Sequence, residues 1–286
     1  MSGYLSGVLV AYLLNLIIAY AVFLPGAGGI LNLGVAGFVA IGAYASAWLS
    51  NEMEWPLAVT ILLSMGVSAL IGLAISFPIL RTRGVYMVLA TIAFGEVVVG
   101  LLINVEAIGG AAGYPVFEFI DLPVIALCTL AVVLFVVWLM STRFGLALRA
   151  IHDDEPVAAL FGVSVRGVRV AAFTIGAAIA GLGGALYGHH YAYVDVIYFT
   201  TLVSIYTLLY VLIGGVQTPW GPIVGAAVFS LLPELFRGAT EWRYVFFAAV
   251  IILIMAVRPE GIITRALLLR LKRRGTIAAP TKEAAQ

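Results

Sequence analysis

Long apolar runs recur along the whole chain, and they constrain its fold more than any other feature. A helix needs about 20 apolar residues to cross the roughly 30 Å hydrocarbon core of a bilayer. Only 10% of the 286 residues are charged, against about a quarter in soluble globular domains. The sequence therefore predicts an all-α, polytopic transmembrane helical bundle of about nine spans. The candidate spans are residues 4–23, 28–49, 55–79, 84–105, 120–141, 170–192, 198–213, 220–236 and 243–257.

The connections between these runs are too short to form a second domain. None could bury a core of its own, so residues 1–286 are expected to form a single transmembrane domain. The breaks GGVQTPWGP and PEGI border the short last runs, one of which could be broken or re-entrant. Cys128, the only cysteine, lies in an apolar run and is expected to be a packing residue.

The distribution of charge between the runs predicts the orientation of the chain. Arginine and lysine side chains collect in alternate connections and in the C-terminal segment, which together hold all but two of the 15 basic residues. Cytoplasmic loops of membrane proteins carry this excess of positive charge. With nine spans, the C-terminus is expected in the cytoplasm and the N-terminus outside. Residues 270–286 are expected to form a disordered cytoplasmic tail.

Glu96 is the one charged residue placed deep within a candidate span. A buried lone carboxylate must be protonated, partnered or in contact with water, which makes it a functional candidate. A structural hydrogen bond to a neighbouring helix remains an equal alternative, with Asn15, Asn32 and Asn104 as possible partners. His189 and His190 are adjacent and point about 100° apart on a helix, so we expect interfacial polar side chains there and no shared metal.

The longest connection, residues 142–169, lies on the basic side and contains the sequence DDEPVAALFG. Pro156 suits the first position of a helix, the preceding acids favour a helix N-terminus, and Gly162 suits the residue beyond its C-terminus. The resulting helix of about two turns is too short to cross a bilayer and needs a surface to pack against. It either lies on the membrane or presents Leu160 and Phe161 to a groove in a soluble partner.

The segment GLALRAIHDDEPVAALFGVSVRGVRVAAFTIGAAIAGLGGALYG resembles the signature region of branched-chain amino acid ABC transporter permeases of the LivM type. The resemblance continues, in the family's order, in LNLGVAGFVAIGAYASA, RTRGVYMVLATIAFGEVV, GGVQTPWGPIVGAAVF and MAVRPEGI. It covers nearly the whole chain. Family members often have Ser-Leu-Gly-His where this chain has Asn32, Leu33, Gly34 and Val35.

The resemblance implies a permease subunit of an ATP-driven importer, in which Glu155, Ala158, Ala159 and Gly162 belong to a coupling helix that contacts the ATP-binding subunit. The implied partners are two cytoplasmic ATP-binding subunits, a permease partner that is a homologue or a second copy, an external solute-binding protein, an amino acid substrate and membrane lipid. No nucleic acid is expected. The chain itself would hold no cofactor, because partner subunits hydrolyse ATP. The implied location is the plasma (inner) membrane of a bacterium or archaeon.

Two groups of residues are the resulting site candidates. The candidates for ATPase coupling are Arg149, Asp153, Asp154, Glu155, Ala158, Ala159, Leu160, Phe161 and Gly162. The helices that hold Asn32 and Glu96 are the candidates for the translocation path. No catalytic, cofactor-binding or metal-binding residue is predicted, and no enzymatic activity.

Three alternatives stay open. The same architecture could carry urea, amides or other amino acids. A gradient-coupled secondary transporter would use Glu96 as its coupling acid, and an intramembrane enzyme would act on lipid. A second deep ionisable residue would be expected for each of the last two, and its absence from the candidate spans argues against both without excluding them.

Overall fold

A computed structural model describes residues 3–235, 243–258 and 261–265, and the predicted disordered tail, 270–286, lies outside these residues. An α-helix lies in each of the nine predicted spans, and two further helices lie between the fifth and sixth. The helices are α1 Gly3–Ala27, α2 Val35–Met53, α3 Leu57–Ile79, α4 Val85–Ile103, α5 Leu122–Ser141, α6 Arg143–Asp153, α7 Glu155–Leu160, α8 Val165–Tyr191, α9 Thr201–Gly214, α10 Gly221–Leu235 and α11 Arg243–Val257.

Among the described residues, six helical segments are long and apolar enough to cross a membrane. They are α1, α3, α4, α5, α8 and the segment Val196–Gly214, in which a 3-10 turn precedes α9. Helices α10 and α11 have 15 residues each. The prediction of an all-α, polytopic membrane protein is confirmed.

Helix α1 forms the centre of the bundle. All of its side chains from Leu16 to Ala27 are buried, because α8, α10, α5 and α9 surround it. Helix α8 packs against α1, α2 and α3 at once. By contrast, α3, α4 and α5 expose large apolar side chains along their outer faces, such as Leu70, Leu101 and Leu127. This arrangement places hydrocarbon on the surface that a bilayer would cover.

The glycines of α8 allow its close packing. A Cβ atom at Gly184 would lie 1.9 Å from the carbonyl oxygen of Val39 in α2, and one at Gly176 would lie 2.5 Å from that of Ala21 in α1. A side chain at either position would collide with backbone. Small residues thus let three helices approach one another, as membrane helices do where lipid offers no hydrophobic driving force.

A compact cap closes one end of the bundle. The cap comprises residues 104–121 and 192–198. It contains the 3-10 turns Glu106–Ile108 and Gly110–Ala112 and two short antiparallel strands, β1 Tyr114–Pro115 and β2 Tyr193–Val194. In the pairing, Tyr114 faces Val194. The opposite end carries α6, α7, the start of α8 and the connection between α9 and α10.

The structure shifts several of the sequence-based boundaries. Helix α1 ends at Ala27 rather than at residue 23, and α2 ends at Met53 rather than at residue 49. Residues 28–34 are not helical, so α2 begins at Val35 rather than at residue 28. Helix α8 begins at Val165 rather than at residue 170. Residues 143–153 form α6, which the prediction treated as part of a loop; Gly145, Leu148 and Ile151 are buried on one face of it.

Candidate functional site

Helix α7 begins with a side-chain cap. Asp154 has an extended backbone, and its Oδ1 atom accepts a hydrogen bond from the backbone N–H of Val157 at 3.1 Å. Pro156 follows in the first turn. A backbone N–H there has no partner within the helix, so a proline loses no hydrogen bond. The Asp154 side chain thus satisfies one of the free N–H groups at the start of α7, which is worth about 1 kcal/mol.

Helix α7 ends in a left-handed turn at Gly162, whose φ is +82°. The N–H of Gly162 donates to the carbonyl of Ala159, and the N–H of Val163 donates to that of Ala158. These two bonds form a Schellman motif, for which glycine is the favoured residue. The short helix predicted from DDEPVAALFG is confirmed, with Glu155 rather than Pro156 as its first residue.

The helix turns its largest apolar side chains away from the bundle. Leu160 is 86% exposed and Phe161 is 85% exposed, whereas Ala158 is buried. We call Leu160 and Phe161 the apolar tip. Ala159 and Gly162 are exposed beside it. Two neighbouring side chains of this size gain stability when another surface covers them.

Arg169 connects α7 to the centre of the bundle. Its Nη1 atom lies 2.9 Å from Oε2 of Glu155, and its Nε donates to the carbonyl oxygen of Gly28 at 3.1 Å. Gly28 follows directly after α1. One guanidinium therefore joins the first residue of α7 to the end of the central helix.

Arg265 makes a second connection on the same end. Its Nη1 lies 3.2 Å from Oδ2 of Asp153, the last residue of α6, and its Nε donates to the carbonyl oxygen of Gln217 at 3.4 Å. Gln217 lies in the connection between α9 and α10. Neither arginine's contacts could be predicted, because nothing in the local sequence pattern pairs residues so distant in the chain.

Arg149 lies on α6 and does not reach the apolar tip. Its Nη2 donates to the carbonyl oxygen of Met140 near the end of α5, at 3.1 Å. Its Nε atom is buried and has no hydrogen-bond partner among the described residues. Burial and the nearby Arg265 lower the pKa of Arg149, and Asp153 opposes that shift. An arginine still stays protonated at neutral pH.

Asn32 lies in the non-helical segment between α1 and α2, and it is buried. Its Oδ1 accepts a hydrogen bond from the N–H of Gly34 at 2.9 Å, which forms a local turn. The N–H of Leu33 donates to Thr91 of α4, and that of Ala36 donates to Ser204 of α9. The turn thus lies where α2, α4 and α9 meet.

Glu96 lies on α4, and its side chain is exposed. Its Oε1 accepts a hydrogen bond from the hydroxyl of Thr201, the first residue of α9. The suggested asparagine partners bond elsewhere: Asn15 donates to Ser230, and Asn104 donates to the Gly100 carbonyl. Glu96 and Asn32 therefore both lie at the contacts of α4, without a direct bond between them.

His189 corrects one expectation. It is buried rather than interfacial, with Nε2 2.8 Å from Oγ of Ser46 and Nδ1 2.9 Å from the carbonyl oxygen of Glu118. Since a carbonyl only accepts, Nδ1 carries the proton and Nε2 accepts from the serine. The imidazole thereby fastens the cap to α2 and α8. His190 bonds separately, to the carbonyl of Ile120.

Within the described parts of the chain, no three histidine, cysteine, aspartate or glutamate side chains are grouped in a way that suits a metal ion. Cys128 is a free, half-buried thiol on α5. The polar groups described above connect helices to one another or lie at the two ends of the bundle.

The family model and the relatives of this chain all name the same kind of protein. The family of branched-chain amino acid transport system permease components matches residues 4–255. The LivM permease proteins of the high-affinity branched-chain amino acid transport systems of Salmonella typhimurium and Escherichia coli are each 30% identical over 274 residues, which cover 83% of this chain and 64% of theirs. The LivH permease protein of Escherichia coli is 28% identical over 138 residues, 48% of this chain and 44% of its own.

The chain thus spans somewhat less than two thirds of the length of the two LivM proteins. No solved structure gives a significant match. The family match extends over most of the chain, from α1 to α11, and includes α7 and the contacts of Arg169. The chain belongs to the family of branched-chain amino acid transport system permease components.

Proposed function

We propose that this chain is the transmembrane permease subunit of an ATP-driven importer for branched-chain amino acids, and that it moves solute by alternating access. The family and the names of its relatives support the class of protein and the substrate. The observation that carries the proposal is α7, a capped helix that holds the apolar tip outward while Arg169 ties its first residue to the central helix.

In this proposal the nine helices α1 to α5 and α8 to α11 cross the membrane, with the N-terminus outside and the C-terminus in the cytoplasm. The basic segments support this orientation. Arg149, Arg169 and Arg265 lie at the same end of the bundle, as their contacts with α5, α7 and α6 show. The cap, at the other end, contains Glu106, Glu118 and Asp121 and no arginine or lysine. Positive residues favour the cytoplasmic side.

Helix α7 acts as the coupling helix in this account. It has six residues, too few for stability in water without a surface to pack against. Its caps and the Arg169 contact fix its position, while the apolar tip stays free to enter a groove of a soluble partner. The proposed partner at this surface is one of two cytoplasmic ATP-binding subunits. ATP is hydrolysed there, so the permease itself is not an enzyme.

Two routes carry motion from the coupling helix to the membrane helices. Glu155 and Arg169 lead to the end of α1, and Asp153 and Arg265 lead to the connection between α9 and α10. A displacement of α7 would therefore reach both the centre of the bundle and the helix that faces Glu96. Such rigid elements transmit a movement because packed helices shift as units.

The proposed translocation path lies beside α2, α4 and α9, at the contacts of Asn32 and Glu96. Glu96 is exposed on the same helix as the exposed Leu89, Val97 and Leu101. A charged side chain in lipid at the middle of a bilayer costs about 3 kcal/mol. Its face of α4 is therefore proposed to border water or a second permease, either a homologous subunit or another copy of this chain.

An external solute-binding protein is the proposed source of the substrate. Its docking surface would be the cap, whose exposed side chains include Phe117 and Phe119. The proposed location is the inner membrane of a bacterium or the plasma membrane of an archaeon. Delivery by a binding protein agrees with the few charged groups within the membrane helices.

Reconstitution tests the function. The chain is purified with its ATP-binding subunits, permease partner and binding protein and inserted into liposomes. Uptake of labelled leucine is then measured with ATP, with ADP, and with ATP plus a protonophore. We expect uptake only with ATP, unchanged by the protonophore. Competition with isoleucine, valine, urea and acetamide tests the substrate, since only the first two should compete.

A gradient-coupled transporter using Glu96 gives the opposite result. It would take up leucine without ATP, and the protonophore would abolish that uptake. Glu96→Gln keeps a hydrogen-bond acceptor for Thr201 but cannot release a proton. The importer account expects any uptake by this variant to stay dependent on ATP and insensitive to the protonophore, whereas gradient coupling through Glu96 expects a loss of all uptake.

A further inference from the structure

A cavity of about 440 Å³ lies at the basic end of the bundle, apart from the apolar tip and the proposed path. The last turn of α5, α6, the connection between α9 and α10, and Arg265 form its walls. Val137, Met140, Leu146 and Pro219 supply apolar surface, and two arginines supply charge. Its volume is within the range of small-molecule binding sites.

Among the residues that the structure describes, the charges at this cavity do not balance. Arg149 and Arg265 both line it. The described acid that pairs with them is Asp153, whose carboxylate lies 3.2 Å from Arg265. The buried Nε of Arg149 has no hydrogen-bond partner among the described residues. A buried N–H donor that bonds none of the described protein atoms calls for a further acceptor at this place.

The cavity lies at the boundary of the membrane. Met140 and Ser141 are at the end of α5, which is a candidate span. The exposed Trp138 lies on the same turn, and Trp220, 45% exposed, lines the cavity itself. Tryptophan is enriched where the lipid headgroups begin. A ligand there would meet headgroups on one side and hydrocarbon on the other.

We propose that this cavity binds the phosphate group of an anionic membrane phospholipid, with Arg149 and Arg265 as the cationic contacts and the apolar walls beside the first carbons of its acyl chains. Arginine is well suited to phosphate, because its planar donors match the phosphate oxygens. The uncompensated positive charge favours an anionic lipid over a zwitterionic one. The location favours a lipid over free phosphate, which would not use the apolar walls.

Native mass spectrometry of the full-length chain tests the site. Phosphatidylglycerol, phosphatidylcholine or inorganic phosphate is added to delipidated protein in detergent, and the bound fraction is measured. We expect phosphatidylglycerol to bind about tenfold more tightly than phosphatidylcholine. Arg149→Gln should lose about tenfold in affinity for phosphatidylglycerol, as expected for removal of a hydrogen bond to a charged group. Arg143→Gln, an exposed arginine on the same helix, should bind as the wild type does.

A second measurement does not depend on the Arg149 variant. Phosphatidylglycerol with brominated acyl chains should quench the fluorescence of the wild-type chain, and Trp220→Phe should remove much of that quenching. Equal binding by Arg149→Gln and wild type, or quenching unaffected by Trp220→Phe, contradicts the proposal. Inorganic phosphate that displaces phosphatidylglycerol at similar concentrations would also contradict it, since the cavity would then select a free anion.

Discussion

The guanidinium of Arg169 lies 2.9 Å from the carboxylate of Glu155, so the first turns of α8 hold the first residue of α7. The same guanidinium bonds the backbone of Gly28 at the end of α1. Glu155 is partly exposed, at 42% of its side chain. The pair therefore contributes little to the stability of the fold, but it helps to hold α7 in place.

Glu155→Gln should separate these two roles. Because a partly exposed ion pair is worth about 1 kcal/mol or less, the melting temperature should change little. Leucine uptake per ATP hydrolysed should fall, since α7 would move without displacing α1. Glu106→Gln, in the cap at the other end, serves as the control and should leave the ratio unchanged. A normal ratio in Glu155→Gln would show that the ion pair carries no motion.

Gly162 should be sensitive to substitution for conformational reasons alone. Its φ of +82° is unfavourable for other residues, yet a Cβ atom there would meet nothing within 4 Å. Gly162→Ala should cost about 1 kcal/mol locally, and hydrogen exchange of the α7 amides should quicken. Gly66→Ala, at a helical glycine of α3 with equally open space, should leave the exchange of the α7 amides unchanged. Unchanged exchange in Gly162→Ala would contradict a left-handed turn at this position.

Gly184 should tolerate no side chain. A Cβ atom there would lie 1.9 Å from the backbone of Val39, so α2 and α8 would have to separate. Gly184→Ala should destabilise the bundle by about 1 to 3 kcal/mol, the usual cost of overpacking, and thermal unfolding in detergent measures it. Gly100→Ala, in open space on α4, is the matched control. Equal melting temperatures for the two variants would rule out the close contact.

Ser46 should stabilise the fold through its hydrogen bond to His189. Ser46→Ala leaves the buried Nε2 of His189 without a partner, which costs about 1 to 3 kcal/mol. Ser64→Ala removes an equally buried hydroxyl that bonds only within its own helix, and it should cost less. A smaller loss of melting temperature for Ser46→Ala than for Ser64→Ala would show that the imidazole does not depend on the serine.

Much of the fold could be predicted because the bilayer imposes a length on each apolar run, and a helix lies in every predicted span. The end of α1 and the start of α2 could not be predicted, because hydropathy does not detect the turn that Asn32 forms with Gly34. Helix α6 was missed because its apolar residues are interrupted by charged ones over only 11 positions. Burial of His189 depends on Ser46 and Glu118, which are 143 and 71 residues away.

Helix α7 was predictable for a different reason. Asp154, Pro156 and Gly162 are local signals for the ends of a helix, and they suffice to place α7 within one residue. The ion pairs of Arg169 and Arg265 depend on the packing of the whole bundle. The distribution of positive charge predicted on which side of the membrane these arginines lie, but not which acids they contact.

The most direct test of the account is whether the apolar tip binds the ATP-binding subunit. Phe161→Asp and Phe117→Asp each place a carboxylate at an exposed phenylalanine, at 85% and 79% exposure, but at opposite ends of the bundle. Copurification of the ATP-binding subunit with each variant is measured beside its melting temperature. The account predicts that Phe161→Asp folds normally and loses at least about tenfold in association, since a charge would enter an apolar groove, while Phe117→Asp retains it. Full association in Phe161→Asp would contradict the assignment of α7 as the coupling helix.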